Sequence, residues 1–380
     1  MKKILILFFI IPVIGWAQNS PSTDQLDKTR YENKEYYEVK NYTKKRIKKK
    51  KPKNIIFLVG DGMGTAQVYA GLVANRGNLY LSTMPFSGFS KTNSADDLIT
   101  DSAAGATAFS IGEKTTNGAI GVDKNGVPKK TILEMAEANG LSTGLVASCG
   151  ITHATPASFI AHQSSRSMYE EIAADFLKTD IDIFIGGARN HFNKRKDGRD
   201  LLVELEMKGY DVVTTMDSLS FVQGEKIAAL VAEEQPQPTA LGRGDMLQMA
   251  SNFAIGHLQK NKTGFFLMIE GSQIDWGGHD NNVPYLVTEM LDFDKTIGEV
   301  LKFAANDGQT LVVVTADHET GGFSINGGDI SKGVVEGKFT TGGHTGIMVP
   351  VYSFGPQAEL FSGIIENTDI FYKFKEVLGL

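Results

Sequence analysis

The chain has 380 residues, 42% of them hydrophobic and 22% charged, with a formal net charge of −6. This composition supplies ample apolar material for a core and excludes a disordered or low-complexity chain. It also excludes a disulfide framework, since Cys149 is the only cysteine, and the acidic balance argues against a basic nucleic-acid-binding face.

The first residues read as a targeting segment. Lys2 and Lys3 precede the apolar run Ile4 to Ile14, and Gly15-Trp16-Ala17 supplies small residues for cleavage. A signal peptide is therefore expected over 1–17, cleaved near Ala17, with export to the periplasm or the medium. The run is too short for a membrane span. Residues 18–53 form a polar leader in which Lys44 to Lys53 carries eight positive charges in ten residues. A solvated leader is expected there, in preference to a docking arm for anionic surfaces.

From Asn54 onward, apolar runs alternate with amphipathic segments. The pattern predicts strands over 54–60, 86–93, 142–149, 181–186, 210–214, 264–270, 310–315 and 347–354. Helices are predicted over 64–75, 102–111, 131–139, 168–178, 199–208, 244–260, 285–304 and 368–377. This is the rhythm of an α/β fold, a mostly parallel central sheet flanked by helices on both faces. No Pro/Ser linker interrupts 54–380, so one catalytic domain is expected. The Gly-rich stretch 326–343 reads as a long loop near the site, and Cys149 as a small buried hydrophobe.

Three of the runs end in acidic or imidazole residues. Ile55 to Val59 leads into Gly60-Asp61-Gly62; Phe265 to Ile269 leads into Glu270, with Asp275 and His279 following; Leu311 to Val314 leads into Asp317-His318-Glu319. Ligands of open α/β sheets gather at the carboxyl ends of strands. Carboxylates and imidazoles delivered together to that edge repel unless cations lie between them. Asp275 and His279, four apart, share one face of a helical turn. His344 follows the Gly-rich stretch, and His153 and Thr155 follow the strand 142–149. Ser102 begins a helix of very small residues, where free N–H groups and positive potential favour an anion and an ionised hydroxyl. Arg166 offers a planar fork for a phosphate. His162 reads as structural, and His191 and His257, which lack an acidic context, read as ordinary. Two metal ions, a serine and an arginine are the apparatus of in-line phosphoryl transfer.

These segments, from Asn54 to Leu380, resemble the alkaline phosphatases. Gly60-Asp61-Gly62-Met63-Gly64 matches the family's first metal motif and Asp101-Ser102-Ala103 its nucleophile motif; the segments 153–166, 270–279, 315–319 and 344–346 follow in family order. The resemblance implies an alkaline-phosphatase-like three-layer sandwich and two Zn2+ and one Mg2+ per subunit. One zinc would be held by Asp275, His279 and His344. The other would be held by Asp61, Asp317 and His318, with Ser102 joining during turnover. Magnesium would take Asp61, Thr155 and Glu270, with His153 as a further candidate ligand. Arg166, steadied by Asp101, would bind phosphate. His153 and Trp276 stand where the enterobacterial form has Asp and Lys, a combination similar to marine and cold-environment members, and Trp276 is expected beside the substrate. A homodimer is implied as well.

The expected activity is hydrolysis of a broad range of small phosphate monoesters at alkaline pH through a phosphoserine on Ser102, with no specific nucleic-acid partner. A phosphodiesterase or sulfatase of the same fold is the nearest rival. A non-catalytic exported protein that binds phosphate or metal is the rival of another class.

Overall fold

Ile55, Phe57 and Val59 alternate along one strand with Ile56 and Leu58, and all five are fully buried, in two separate core layers. A strand places successive side chains on opposite faces, so this strand lies inside a sheet covered on both sides. The computed structural model describes residues 27–44, 47 and 51–380. The expected signal peptide and most of the basic cluster therefore lie outside the described residues.

The strands are β1 (Arg30–Glu32), β2 (Asn54–Gly60), β3 (Phe86–Lys91), β4 (Ser142–Gly150), β5 (Ile183–Gly187), β6 (Tyr210–Val213), β7 (Lys226–Leu230) and β8 (Phe265–Gly271). They continue with β9 (Thr310–Thr315), β10 (Glu319–Thr320), β11 (Ser324–Asp329), β12 (Val334–Lys338), β13 (His344–Thr345), β14 (Val349–Phe354) and β15 (Gly363–Glu366). Ten of them form one sheet in the order β15-β3-β14-β9-β2-β8-β4-β5-β7-β6. Only β14 runs against the rest. The helices Ser102–Ile111, Ile132–Ala138 and Asn367–Leu378 cover one face. Thr65–Ala74, Met246–Leu258 and Val283–Asp307 cover the other. Phe57 meets Phe109 and Phe374 edge-on at centroid distances of 5.4 and 5.2 Å. Truncating such a residue to alanine costs about 3–5 kcal/mol.

Local chemistry sets the helix ends. The long helix 283–307 starts where the Asn282 side chain accepts from the Tyr285 N–H, with Pro284 in the first turn. It stops at Gly308, whose φ of 67° suits glycine. Every strand and helix expected from the pattern forms, with ends displaced by a few residues. The sheet also contains β7 and β15, which the pattern did not predict. No helix among the described residues is long and apolar enough to cross a membrane.

Two expectations are corrected. The leader is not wholly solvated: β1 pairs antiparallel with β12, Tyr31 opposite Val335. Tyr37 stacks on Tyr80 and donates from its hydroxyl to Asp294 Oδ2 at 2.6 Å, and Asn33 donates to the Ala74 carbonyl at 3.1 Å. The tyrosines of this segment carry enough apolar surface to dock it despite its charge. The Gly-rich stretch 326–343 is likewise not one long loop. Residues up to Asp329 complete β11, which pairs with β12 and so joins β1 in a three-stranded sheet.

Candidate active site

The carboxyl ends of β9, β2 and β8, neighbours in the sheet, deliver Asp317, Asp61 and Glu270 to one edge. Gly62 turns the chain sharply after Asp61 at a φ of 73°, and a Cβ there would lie 2.7 Å from the Asp275 Cα. Only glycine serves at that point. Gly105 has a similar use: a Cβ there would lie 3.0 Å from the Asp317 Cβ, so its absence lets the helix 102–111 pack close to that residue.

Asp275, His279 and His344 form one cluster. The Asp275 Oδ1 lies 3.3 Å from Nε2 of His279 and 3.5 Å from Nε2 of His344. The His279 Nδ1–H donates to the Gly342 carbonyl at 2.7 Å and the His344 Nδ1–H to the Thr100 carbonyl at 2.8 Å. Their Nε2 atoms then face each other 3.2 Å apart. Two lone pairs do not share that distance, so a positive species belongs between them. A proton is favoured there: burial opposes it, but the Asp275 charge raises His279 to about 9. In turn, Asp275 is lowered, against its burial, by His279 with His344 and His318 adding.

The second cluster surrounds Ser102. Asp101 caps the helix 102–111, its Oδ1 accepting from the Ala104 N–H at 3.0 Å. Ser102 Oγ lies 3.2 Å from Nε2 of His318. The Thr320 hydroxyl donates to Asp275 Oδ1 at 2.5 Å, so it accepts from His318 Nδ1 at 3.2 Å. His318 Nε2 is therefore a bare acceptor, 3.4 Å from Asp61 Oδ1 and 3.3 Å from Asp317 Oδ2. Both carboxylate atoms are buried without a hydrogen bond. Burial first, then neighbouring carboxylates, pushes Asp61 well above its usual range and Asp317 up to about 8. Burial, with His344 beside it, pushes His318 well down. This electron-rich hole fits a cation and little else.

Glu270 Oε2 accepts from Ser272 Oγ at 2.7 Å and from Cys149 Sγ at 3.3 Å, so Cys149 is also a polar neighbour of the site. Thr155 Oγ1 is buried and makes no hydrogen bond of normal geometry. Burial raises Glu270. Arg166 donates through Nη1 to Asp101 Oδ2 at 3.1 Å. Burial opposes its charge, and Asp101 restores it. Asp101 Oδ2 also accepts from the Gly118 N–H at 3.0 Å, which fixes its plane.

Two expected residues stand apart from these clusters. Trp276 is only 4% exposed, its ring 5.7 Å from that of His153. The Nε2 of His153 faces the Gln235 side chain rather than a carboxylate. Desolvation, with Arg166 adding, pushes His153 down to about 3. His162 bonds Gly121 and Glu134, and His191 stacks on Tyr169. Sequence reasoning missed Thr320, Gln235 and the Thr100 and Gly342 carbonyls, which orient the imidazoles. Their residue types carry no signal; only the fold brings them to the rings.

Comparison with known proteins agrees with this geometry. Residues 52–337 match the family model described as alkaline phosphatase. Alkaline phosphatase 3 of Bacillus subtilis (strain 168) is 36% identical over 405 residues, covering 84% of this chain and 87% of that protein. The structure of alkaline phosphatase from the Antarctic bacterium TAB5 superposes with a TM-score of 0.83 at 44% identity, covering 87% of this chain and 99% of that one. A TAB5 variant with one histidine replaced by aspartate, 43% identical with the same TM-score and coverage, holds magnesium in a site designated M3. The chain belongs to the alkaline phosphatase family and is a phosphate monoester hydrolase.

Proposed function

We propose that the protein is an exported, metal-dependent alkaline phosphatase that hydrolyses small monoesters through a phosphoserine on Ser102. The observation that carries this is the position of the Ser102 hydroxyl, at a helix N-terminus and 3.2 Å from a bare imidazole nitrogen flanked by two buried carboxylates. The donor sets suit two kinds of ion. Asp275, His279 and His344, and separately Asp61, Asp317 and His318, mix imidazole with carboxylate and suit zinc. Asp61, Thr155 and Glu270 offer only oxygen and suit magnesium. Bound there, such ions act as Lewis acids that stabilise negative charge on nucleophile, leaving group and phosphoryl oxygens.

The chain's own groups do the rest. Ser102 Oγ gives its proton to solvent and attacks phosphorus in line, and the bond to the leaving alkoxide breaks, the alkoxide taking a proton from water to depart as the alcohol. The Arg166 fork, held by Asp101, binds non-bridging oxygens and aligns the phosphoryl group. The positive end of the helix 102–111 favours the serine oxyanion. Water then attacks the phosphoserine from the vacated side, releasing inorganic phosphate and restoring the hydroxyl. Alkaline pH favours metal loading because His279 and Asp317, at about 9 and about 8, must lose protons to become ligands.

The basic n-region, apolar run and small residues of 1–17 support export. Exposed apolar residues Leu98, Ile99, Ile347 and Met348 support a homodimer. The TAB5 variant that holds magnesium in its M3 site supports a third ion in this chain as well, held by Asp61, Thr155 and Glu270.

The test is trapping of phosphoenzyme from an aryl phosphate in the zinc-loaded protein. Ser102→Ala is expected to abolish the trapped species and the burst while zinc content stays near normal. A burst that survives the substitution rules out the assignment.

A further inference from the structure

The residues 231–245, between β7 and the helix 246–258, form a strap across the carboxyl end of β4. Several buried contacts hold it. Arg243 pairs with Glu289 and with Asp292, at 2.8 Å for the latter, and all three side chains are almost fully buried. The Thr239 N–H donates to Glu289 Oε1 at 2.8 Å. Gln273 Nε2 donates to the Pro236 carbonyl at 3.0 Å and the Ser148 carbonyl at 2.8 Å, and Tyr285 fixes the Gln273 oxygen at 2.8 Å. The strap carries one side chain to the active-site edge, that of Gln235.

The orientation of this amide is determined by its partners. Gln235 Oε1 lies 2.6 Å from the Gly150 backbone nitrogen. A backbone N–H only donates, so the amide oxygen must face it and the NH2 group must face the other way. That NH2 is 2.8 Å from His153 Nε2. An amide NH2 has no lone pair to offer, so His153 Nε2 accepts and carries no proton. The proton of the neutral ring then sits on Nδ1, and neither nitrogen is free to bind a metal ion. Tyr169 on one side, at 6.0 Å, and Trp276 at 5.7 Å pack the ring in this pose. His279, His318 and His344 also spend Nδ1–H on an oxygen, but no side-chain amide covers their Nε2 atoms, which turn inward towards the carboxylates.

We propose that Gln235 is a positioning residue that locks His153 in the Nδ1–H form and withholds its Nε2 from the ion held by Asp61, Thr155 and Glu270. His153 is thus a neighbour of that ion and not its ligand. The metal part of this inference rests on the third-ion reading above; the tautomer part does not.

The experiment is 15N imidazole NMR of the full chain, metal-free and then loaded with zinc and magnesium, with the His153 signals assigned by their loss in His153→Gln. The expected wild-type pattern is a protonated Nδ1 and a hydrogen-bonded, unprotonated Nε2. Gln235→Glu keeps the side-chain volume and the Gly150 contact but replaces the donor with an acceptor, so His153 Nε2 is expected to become protonated. A melting temperature near wild type shows that the fold survives. Gln235→Ala is expected to free Nε2 and raise third-site occupancy by Co2+ relative to Mg2+ about tenfold. A proton on Nε2 in the wild type, or a tautomer unchanged by Gln235→Glu, overturns the proposal. A tautomer that follows Gln235 in a protein binding no third ion supports the lock and removes the magnesium reading instead. Ion selectivity unmoved by Gln235→Ala, with magnesium bound, overturns the withholding role.

Discussion

Nε2 of His279 and Nε2 of His344 face each other across 3.2 Å, each ring anchored through its far nitrogen to a backbone carbonyl. With His279 raised by the Asp275 charge, a proton is expected between the rings in the metal-free chain, and a zinc ion bound there would have to displace it. Zinc binding at pH 7 is expected to release protons, chiefly from His279 at about 9 and Asp317 at about 8. Both groups are raised, so they hold protons below those values, and apparent zinc affinity climbs as pH rises from about 7 to about 9. Titration of zinc into weakly buffered metal-free protein with a pH indicator measures this. Equal proton release at pH 7 and pH 10 contradicts it.

Arg166 is oriented by Asp101, which also caps the helix that begins at Ser102. Arg166→Ser is expected to cost roughly 2–4 kcal/mol of transition-state stabilisation for a monoester, about thirty-fold to a thousand-fold in kcat/KM. The loss for an aryl diester, which offers fewer free oxygens, is expected to be much smaller. Equal losses on both substrates break the link between this fork and monoester preference.

Trp276 lies in the core against His153. Trp276→Lys is expected to lower the melting temperature, since it removes a large buried ring and brings in a charge. It is also expected to tighten competitive inhibition by inorganic phosphate, because an ammonium at this edge attracts the dianion. An unchanged inhibition constant with a lowered melting temperature leaves Trp276 with packing alone.

Tyr37 ties the docked leader to the buried Asp294, which also accepts from the Tyr80 and Leu81 N–H groups at 2.9 Å each. Burial raises Asp294 from 3.8 to about 6 despite these donors. The folded state thus binds its proton more tightly than the unfolded state, and this contribution to stability falls as pH rises from about 4 to about 6. Tyr37→Phe is expected to cost about 1.5–3 kcal/mol at pH 7.5, where the carboxylate is charged, and less at pH 4.5. Urea midpoints of the metal-free protein at the two pH values test this; a deficit that grows at the lower pH refutes it.

The apolar runs made the central strands legible because burial on both faces leaves an unbroken signature, as in Ile55 to Val59. β7 escaped because Lys226-Ile227-Ala228-Ala229-Leu230 is short and two of its five residues are alanine, and β15 because four residues, the first a glycine, show no period. The ligand-type residues were legible by kind and by their places at strand ends. The orienting groups were not: Gln235 sits in Glu233-Glu234-Gln235-Pro236-Gln237-Pro238, which reads only as turn, and it meets Gly150 across 85 positions of sequence. The leader was misread because charge obscured its tyrosines.

The site is assembled from distant stretches of chain: Gly62 reaches Asp317 across 255 positions, and Thr100 holds His344 across 244. No partial chain contains it. A polypeptide emerging amino end first presents Asp61 and Ser102 long before Asp317, His318 and His344 arrive. Neither the surroundings of Ser102 nor the complete Asp275, His279 and His344 cluster exists until almost the last strands pair. Hydrolysis of phosphate esters by a partly synthesised chain is therefore not expected. Ions held by the residues at the ends of β9, β2 and β8 would be late cross-links between these strands, so their loss is expected to speed unfolding more than it slows folding.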